Sequence, residues 1–139
     1  MRRYRVLFVC VGNSCRSQMA EALARAYGSD VLEAESAGLS PCGVIFPPTF
    51  EVMAEKGISL EGAASKGIDP ARLAQVDLIV NLSGYEWPYP ASAPVRTWMV
   101  ADPFGQDLEV HRRIRDQIEA RVLELIAELR LKARRRQPV

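Results

Sequence analysis

The chain has 139 residues, with 18 Lys+Arg against 17 Asp+Glu for a formal net charge of +1. That length suits one compact domain with a real core, and the near-neutral balance argues against nucleic acid as the main partner. No apolar run reaches transmembrane length, and an odd count of three cysteines argues against a disulfide-stapled fold.

The N-terminal apolar run Val6–Val11 follows three arginines. It is too short for the h-region of a signal peptide and ends in a polar turn, so a cytoplasmic protein with no membrane partner is expected. Arg5–Cys10 (RVLFVC) is β-branched and apolar on both faces, the pattern of a buried parallel strand. After a Gly-Asn turn, SQMAEALARAYG is rich in helix formers, with Gly28 placed to cap the C-terminus. Val31–Ser36 reads as a less hydrophobic strand nearer an edge. A loop follows, then a helix over Thr49–Lys56 with Pro48 at its first position and Gly57 as its stop. Pro70 opens a short helix around Ala71–Ala74, and Asp77–Leu82 (DLIVNL) is a strongly apolar strand. The stretch from Ser83 to Pro94 has three prolines in twelve residues and is a surface loop. Val95–Val100 is the fourth strand. From Leu108 onward, Val110, Ile114, Ile118, Val122, Ile126 and Leu129 form one apolar helical stripe.

This order predicts an α/β fold: a single domain over 1–139, with a four-stranded parallel sheet flanked by helices on both faces. The tail, 131–139, is expected to fray, its cations suiting a helix C-terminus. Cys10, Cys15, Cys42 and His111 lack the short paired spacing of zinc ligands. Neither a metal nor another cofactor is expected. His111 is expected on an exposed helix face. Cys42 is expected in a loop bordering the active edge, as a cysteine without a role, the alternative being a resolving thiol.

The chemistry concentrates in C-V-G-N-S-C-R-S, from Cys10 to Ser17. In open α/β sheets, ligands collect at the carboxyl ends of strands, where helix N-termini present free N–H groups. Gly12 lets the backbone turn inward, so that consecutive N–H groups from Val11 through Gly12, Asn13, Ser14, Cys15, Arg16 and Ser17 converge on one anion. Cys10 at the centre of such a nest is favoured as a thiolate and is the candidate nucleophile. Arg16 supplies a planar fork for two oxygens of a tetrahedral oxyanion. Ser17 can donate to the thiolate, and Asn13 can brace the loop.

This C-x5-R-S pattern, lying between strand and helix and followed by M-A-E, resembles the active-site loop of the low-molecular-weight protein tyrosine phosphatase superfamily. Glu35–Gly38 (ESAG), Met53–Ile58 (MAEKGI) and Ala101–Gly105 (ADPFG) are similar to further motifs of those proteins. The resemblance implies that Ser36 hydrogen-bonds to the phosphate loop and that Asp102 is the general acid and base, with Phe104 as one wall of the substrate slot. It also implies that Cys15 forms a reversible disulfide with Cys10, as a redox guard. The same superfamily contains arsenate reductases. Gln18 and the stretch from Asp77 to Trp98 resemble those, whereas the region after Asp102 resembles bacterial phosphatases, including protein arginine phosphatases.

The reductases place two further cysteines in the stretch where this chain has Ser83, and no cysteine follows residue 42. The expectation is therefore a phosphomonoesterase working through a cysteinyl-phosphate on Cys10, with phosphotyrosine or phosphoarginine proteins as substrates. The alternatives are an arsenate reductase using thioredoxin or a low-molecular-weight thiol, and a non-catalytic oxyanion sensor.

Overall fold

A strand that is apolar on both faces has to be buried on both, and Tyr4–Cys10 (β1) is an inner strand of the sheet. The structure, a computed structural model, describes residues 2–136. Val6, Phe8 and Cys10 point into the main core, while Leu7 and Val9 point into a smaller cluster with Val76 and Ile79. This is the two-residue period of a strand. β1 pairs in parallel with Leu32–Gly38 (β2), from Tyr4 opposite Leu32 to Cys10 opposite Gly38. On its other side lies Leu78–Asn81 (β3), and Val95–Thr97 (β4) completes the order β2-β1-β3-β4. The more polar β2 is at an edge, as its composition suggests. β4 is shorter than predicted: Trp98 and Val100 are buried beyond it, outside the ladder.

The two faces are covered unequally. Arg16–Gly28 (α1), Pro47–Ala54 (α2) and Leu108–Arg136 (α4) cover the main core, and Pro70–Leu73 (α3) lies between β2 and β3 in sequence. α4 buries Ile114, Ile118, Val122, Leu125, Ile126 and Leu129, the stripe read from the sequence. Each such side chain contributes about 1.5–3 kcal/mol of burial. On the opposite face Leu73, Ile68, Trp87 and Ala93 pack against the smaller cluster.

Three local expectations change. Gly28 is the last residue of α1 rather than a left-handed cap. A Cβ there would lie 2.6 Å from Ile126 Cγ1, so the glycine serves the close approach of α1 to α4. α2 starts at Pro47, with prolines in its first turn, and Gly57 (φ +72°) does follow its end in a left-handed conformation. The tail does not fray from 131. α4 continues to Arg136 because Ala133 extends the buried stripe and the Arg136 guanidinium lies 4.7 Å from the centre of the Tyr4 ring. Residues 137–139 of that expected tail lie outside the described residues.

The chain leaves β1 to one side for β2 and later returns on the other for β3. The carboxyl ends of β1 and β3 therefore flank the crevice of a topological switch point. Among the described residues no helix is long and apolar enough to cross a membrane.

Candidate active site

The segment from Val11 to Cys15 connects β1 to α1 in that crevice, with its carbonyls turned outward. Val11 O accepts from Ser40 N at 2.8 Å, and Gly12 O accepts from Cys42 N and Ser65 Oγ. Asn13 O accepts from Gln18 Nε2, and Ser14 O from Phe46 N and Thr49 Oγ1. The amides of Gly12, Asn13, Ser14 and Cys15, by contrast, donate to no protein acceptor among the described residues. Outward carbonyls and unused amides are the electrostatics of an anion nest.

Asn13 carries the turn. It has the one positive φ of a described non-glycine residue, +51°, whereas Gly12, to which the sequence argument assigned the inward turn, has none. Asn13 Nδ2 donates to Ser17 Oγ at 2.7 Å and to Ser36 Oγ at 3.0 Å. Its Oδ1 accepts from Gln18 Nε2 and from the Lys66 backbone N–H. Because Ser17 Oγ already accepts from Asn13, its own hydrogen is free for Cys10 Sγ, 2.9 Å away. Ser36 in turn donates to Glu21, which also lies 3.7 Å from Lys66 Nζ. Gly38 is the close-approach glycine here: a Cβ would lie 2.7 Å from Val11 O and 2.9 Å from Asn13 N.

Arg16 reaches the cradle from the first turn of α1. Its Nη1 donates to the carbonyls of Leu82 (2.6 Å) and Val100 (3.0 Å), which fixes the guanidinium plane. Nη2 lies 3.4 Å from an Asp102 carboxylate oxygen, and Nε is buried without a hydrogen-bond partner among the described residues. The side chain of Asp102 is 48% exposed. Cys10, Gly12, Ser14, Arg16, Asp102 and Phe104 line a cavity of about 180 Å³, with Val11, Cys15, Ser40 and Cys42 completing its wall. A larger cavity, about 680 Å³, lies behind the loop against Gln18, Glu21 and Lys66, and no described cysteine lines it.

The three cysteines, all free, differ in environment. Burial pushes the Cys15 thiol up to about 11, against an opposing hydrogen bond from Thr49; the nearby Asp102 and Cys10 charges add to the rise. Cys42 is exposed, and its thiol is held below the ordinary range, chiefly by a backbone hydrogen bond from Val44, with smaller help from the Ser14 and Ser65 hydroxyls. In the neutral form the same thiol donates to the Val44 carbonyl at 3.1 Å, which pulls the other way; the balance is downward.

The structure thus brings together every residue that the sequence singled out: Cys10, Arg16 and Asp102 at the cavity, with Asn13, Ser17 and Ser36 beneath it and Phe104 at its rim. One expectation fails. His111 is fully buried rather than exposed. Its Nδ1 donates to the Asp107 carbonyl at 2.9 Å, leaving the Nε2 lone pair 3.9 Å from Cys15 Sγ. Its ring stacks on Phe46, which packs on Phe104. The signal was available, because His111 stands three residues before Ile114 and seven before Ile118, on the buried stripe. Cys42, expected in a loop bordering the active edge, lines the cavity. Lys66 and Ser65 were not singled out at all and belong to no motif, and Glu21 entered only as the last residue of M-A-E, with no role assigned.

The nest, the arginine fork and the thiol define an oxyanion-binding member of a cysteine-dependent enzyme family. The low molecular weight phosphotyrosine protein phosphatase family model matches residues 5–87, and the chain belongs to that family. Within it, the chain is 37% identical over 131 residues to the glutaredoxin arsenate reductase of Synechocystis sp., covering 90% of this chain and 98% of that protein. A solved arsenate reductase in its phosphate-binding state superposes with a TM-score of 0.81 at 35% identity, covering 91% of this chain and 98% of that one. The YwlE arginine phosphatase of Geobacillus stearothermophilus shares the fold, with a TM-score of 0.84 at 24% identity over 98% of this chain and 99% of that one.

These relatives overturn the phosphatase expectation. That expectation took the lack of cysteines after residue 42, and so of the usual relay, as weighing toward hydrolysis. The inference was too strong: later cysteines are needed only for a relay built from them, and any accessible thiol can attack a sulfur adduct.

Proposed function

We propose that the chain is an arsenate reductase that works through Cys10 and takes its electrons from an external thiol: a glutaredoxin, a thioredoxin or a low-molecular-weight thiol. The observation that carries this reading is the similarity, over 98% of its length, to a protein named glutaredoxin arsenate reductase. Arsenate is a near-isostere of phosphate, so one nest serves either oxyanion.

In this reading the whole chain acts as one functional unit. The free amides of the loop and the Nε and Nη2 of Arg16 hold three arsenate oxygens. The Cys10 sulfur, with the Ser17 hydroxyl 2.9 Å away, attacks arsenic in line, and one oxygen leaves as water after protonation by Asp102. A second thiolate then attacks the Cys10 sulfur. The new S–S bond replaces the S–As bond, whose electron pair stays on arsenic and yields arsenite. The disulfide is returned to thiols by the external donor. Three free cysteines and a thiol donor suit a reducing compartment such as the cytoplasm.

The test is arsenite formation from arsenate with glutathione plus glutaredoxin, with thioredoxin and its reductase, and with glutathione alone. At least one system is expected to sustain turnover, and Cys10→Ser to abolish it. Absence of arsenite in all three would overturn the reading, even if the protein binds arsenate.

A further inference from the structure

Resting on that reading, we propose that Cys42 is the resolving thiol: it attacks the Cys10 sulfur of the arsenic adduct, so that one arsenate is reduced within the chain and a Cys10–Cys42 disulfide remains.

The geometry favours Cys42 over Cys15. The segment after β2 runs along the cradle, with Leu39 N donating to Cys10 O at 2.9 Å, Ser40 N to Val11 O at 2.8 Å and Cys42 N to Gly12 O at 3.1 Å. This tether sets Cys42 over Gly12, two residues from Cys10 in the chain. A Cβ on Gly12 would stand 3.5 Å from Cys42 Sγ, in contact with it; the glycine leaves that side of the loop open to the sulfur. Cys10 and Cys42 line the same cavity, together with Arg16 and Asp102. The cavity is marked independently as an oxyanion site by Arg16, whose side chain is only 4% exposed and whose Nε has no partner among the described residues.

Accessibility and acidity divide the two candidate partners. Cys42 is exposed, its thiolate is favoured, and a dithiol reductant can reach its sulfur. Cys15 is 2% exposed, stays a thiol at neutral pH, and faces the His111 Nε2 lone pair. A disulfide needs Cα atoms within about 7 Å, and the cross-linked peptide sought below tests whether the Cys10–Cys42 pair meets that requirement.

The step balances. The Cys42 thiolate forms the S–S bond, the S–As bond breaks with its electron pair going to arsenic, and As(V) becomes As(III), released as arsenite after protonation by water. Cys10 and Cys42 together lose two electrons. A glutaredoxin-type dithiol or two molecules of a low-molecular-weight thiol restore them by exchange at the exposed Cys42 sulfur.

Fully reduced protein, freed of reductant, is mixed anaerobically with arsenate; arsenite, free thiols and cross-linked peptides are then measured. Wild type is expected to release one arsenite per chain, lose two titratable thiols and yield a Cys10–Cys42 peptide pair. Cys42→Ser is expected to lower this single-turnover yield about tenfold or more, by removing the attacking sulfur. A Cys10–Cys15 pair in wild type, or an undiminished yield from Cys42→Ser, would overturn the proposal. In parallel, wild type is assayed with glutathione plus glutaredoxin, with thioredoxin and its reductase, and with glutathione alone. Sustained turnover there without the reductant-free burst defeats Cys42 as resolving thiol and leaves the reductase reading standing. Failure of both assays defeats both.

Discussion

The two sides of the phosphate-binding loop are built on opposite terms. Beneath it, Asn13, Ser17, Ser36, Gln18, Glu21 and Lys66 form a closed network in which the Asn13 amide uses both of its donors and its acceptor. Above it, the amides of the loop and the Nε of Arg16 are unused, and Asp102, Phe104 and Cys42 stand exposed. A saturated floor holds the dipoles of the mouth in place before any anion arrives, which is how preorganised electrostatics lowers a barrier. Substitutions below should therefore cost stability and activity together, and substitutions above should cost activity alone.

The sharpest break of that contrast is Asn13→Ala. It strips the floor of its keystone and puts alanine at a φ of +51°. Unpaired buried partners and the left-handed backbone together should cost about 3 kcal/mol in urea unfolding, with loss of arsenate binding. Asp102→Asn tests the mouth. Removing the proposed proton donor should lower turnover about 10²-fold, while a half-exposed side chain leaves unfolding free energy within about 0.5 kcal/mol of wild type. Equal losses in both measurements would erase the distinction between the sides.

Gly38→Ala probes the floor without removing a hydrogen bond. The added Cβ, 2.7 Å from Val11 O, has to displace loop backbone. A loss of about 1–3 kcal/mol is expected, together with weaker binding of phosphate or arsenate by calorimetry. The smallest effect belongs to neither side. Glu55 links α2 to α4 through Arg112 and Arg115, whose hydrogen bonds hold its carboxyl below the usual range. A folded-state value below the unfolded one means that its stabilisation is complete above the unfolded value, about 4.3, and is lost as pH falls through the folded value. The difference in Tm between wild type and Glu55→Gln should be constant near neutrality and shrink below the usual carboxylate range. A difference that grew in acid would contradict the assignment.

Much of the fold was legible because its signals are local. Two-sided apolar character placed β1 inside the sheet, polar residues placed β2 at an edge, and helical spacing built α4. The same spacing, followed strictly, would have buried His111 and carried the helix through Ala133. At the site, the interval from Cys10 to Arg16 spanning a strand-to-helix turn was enough to define an oxyanion cradle. The choice between hydrolysis and reduction was not legible, because both chemistries begin with the same nest and nucleophile and differ only in what attacks next.

By itself, then, the sequence determined an α/β domain with a thiol in an anion nest, since period, turn and motif are properties of neighbouring residues. Only the tertiary structure decided what surrounds that thiol. Lys66 and Ser65 meet Asn13 and Gly12 from more than fifty positions away, and Leu82 and Val100 fix Arg16 from still farther. Cys42, rather than Cys15, became the accessible sulfur at the cavity. Such partners converge because a parallel sheet brings the ends of distant strands to one edge, and no local pattern records which side chains meet there.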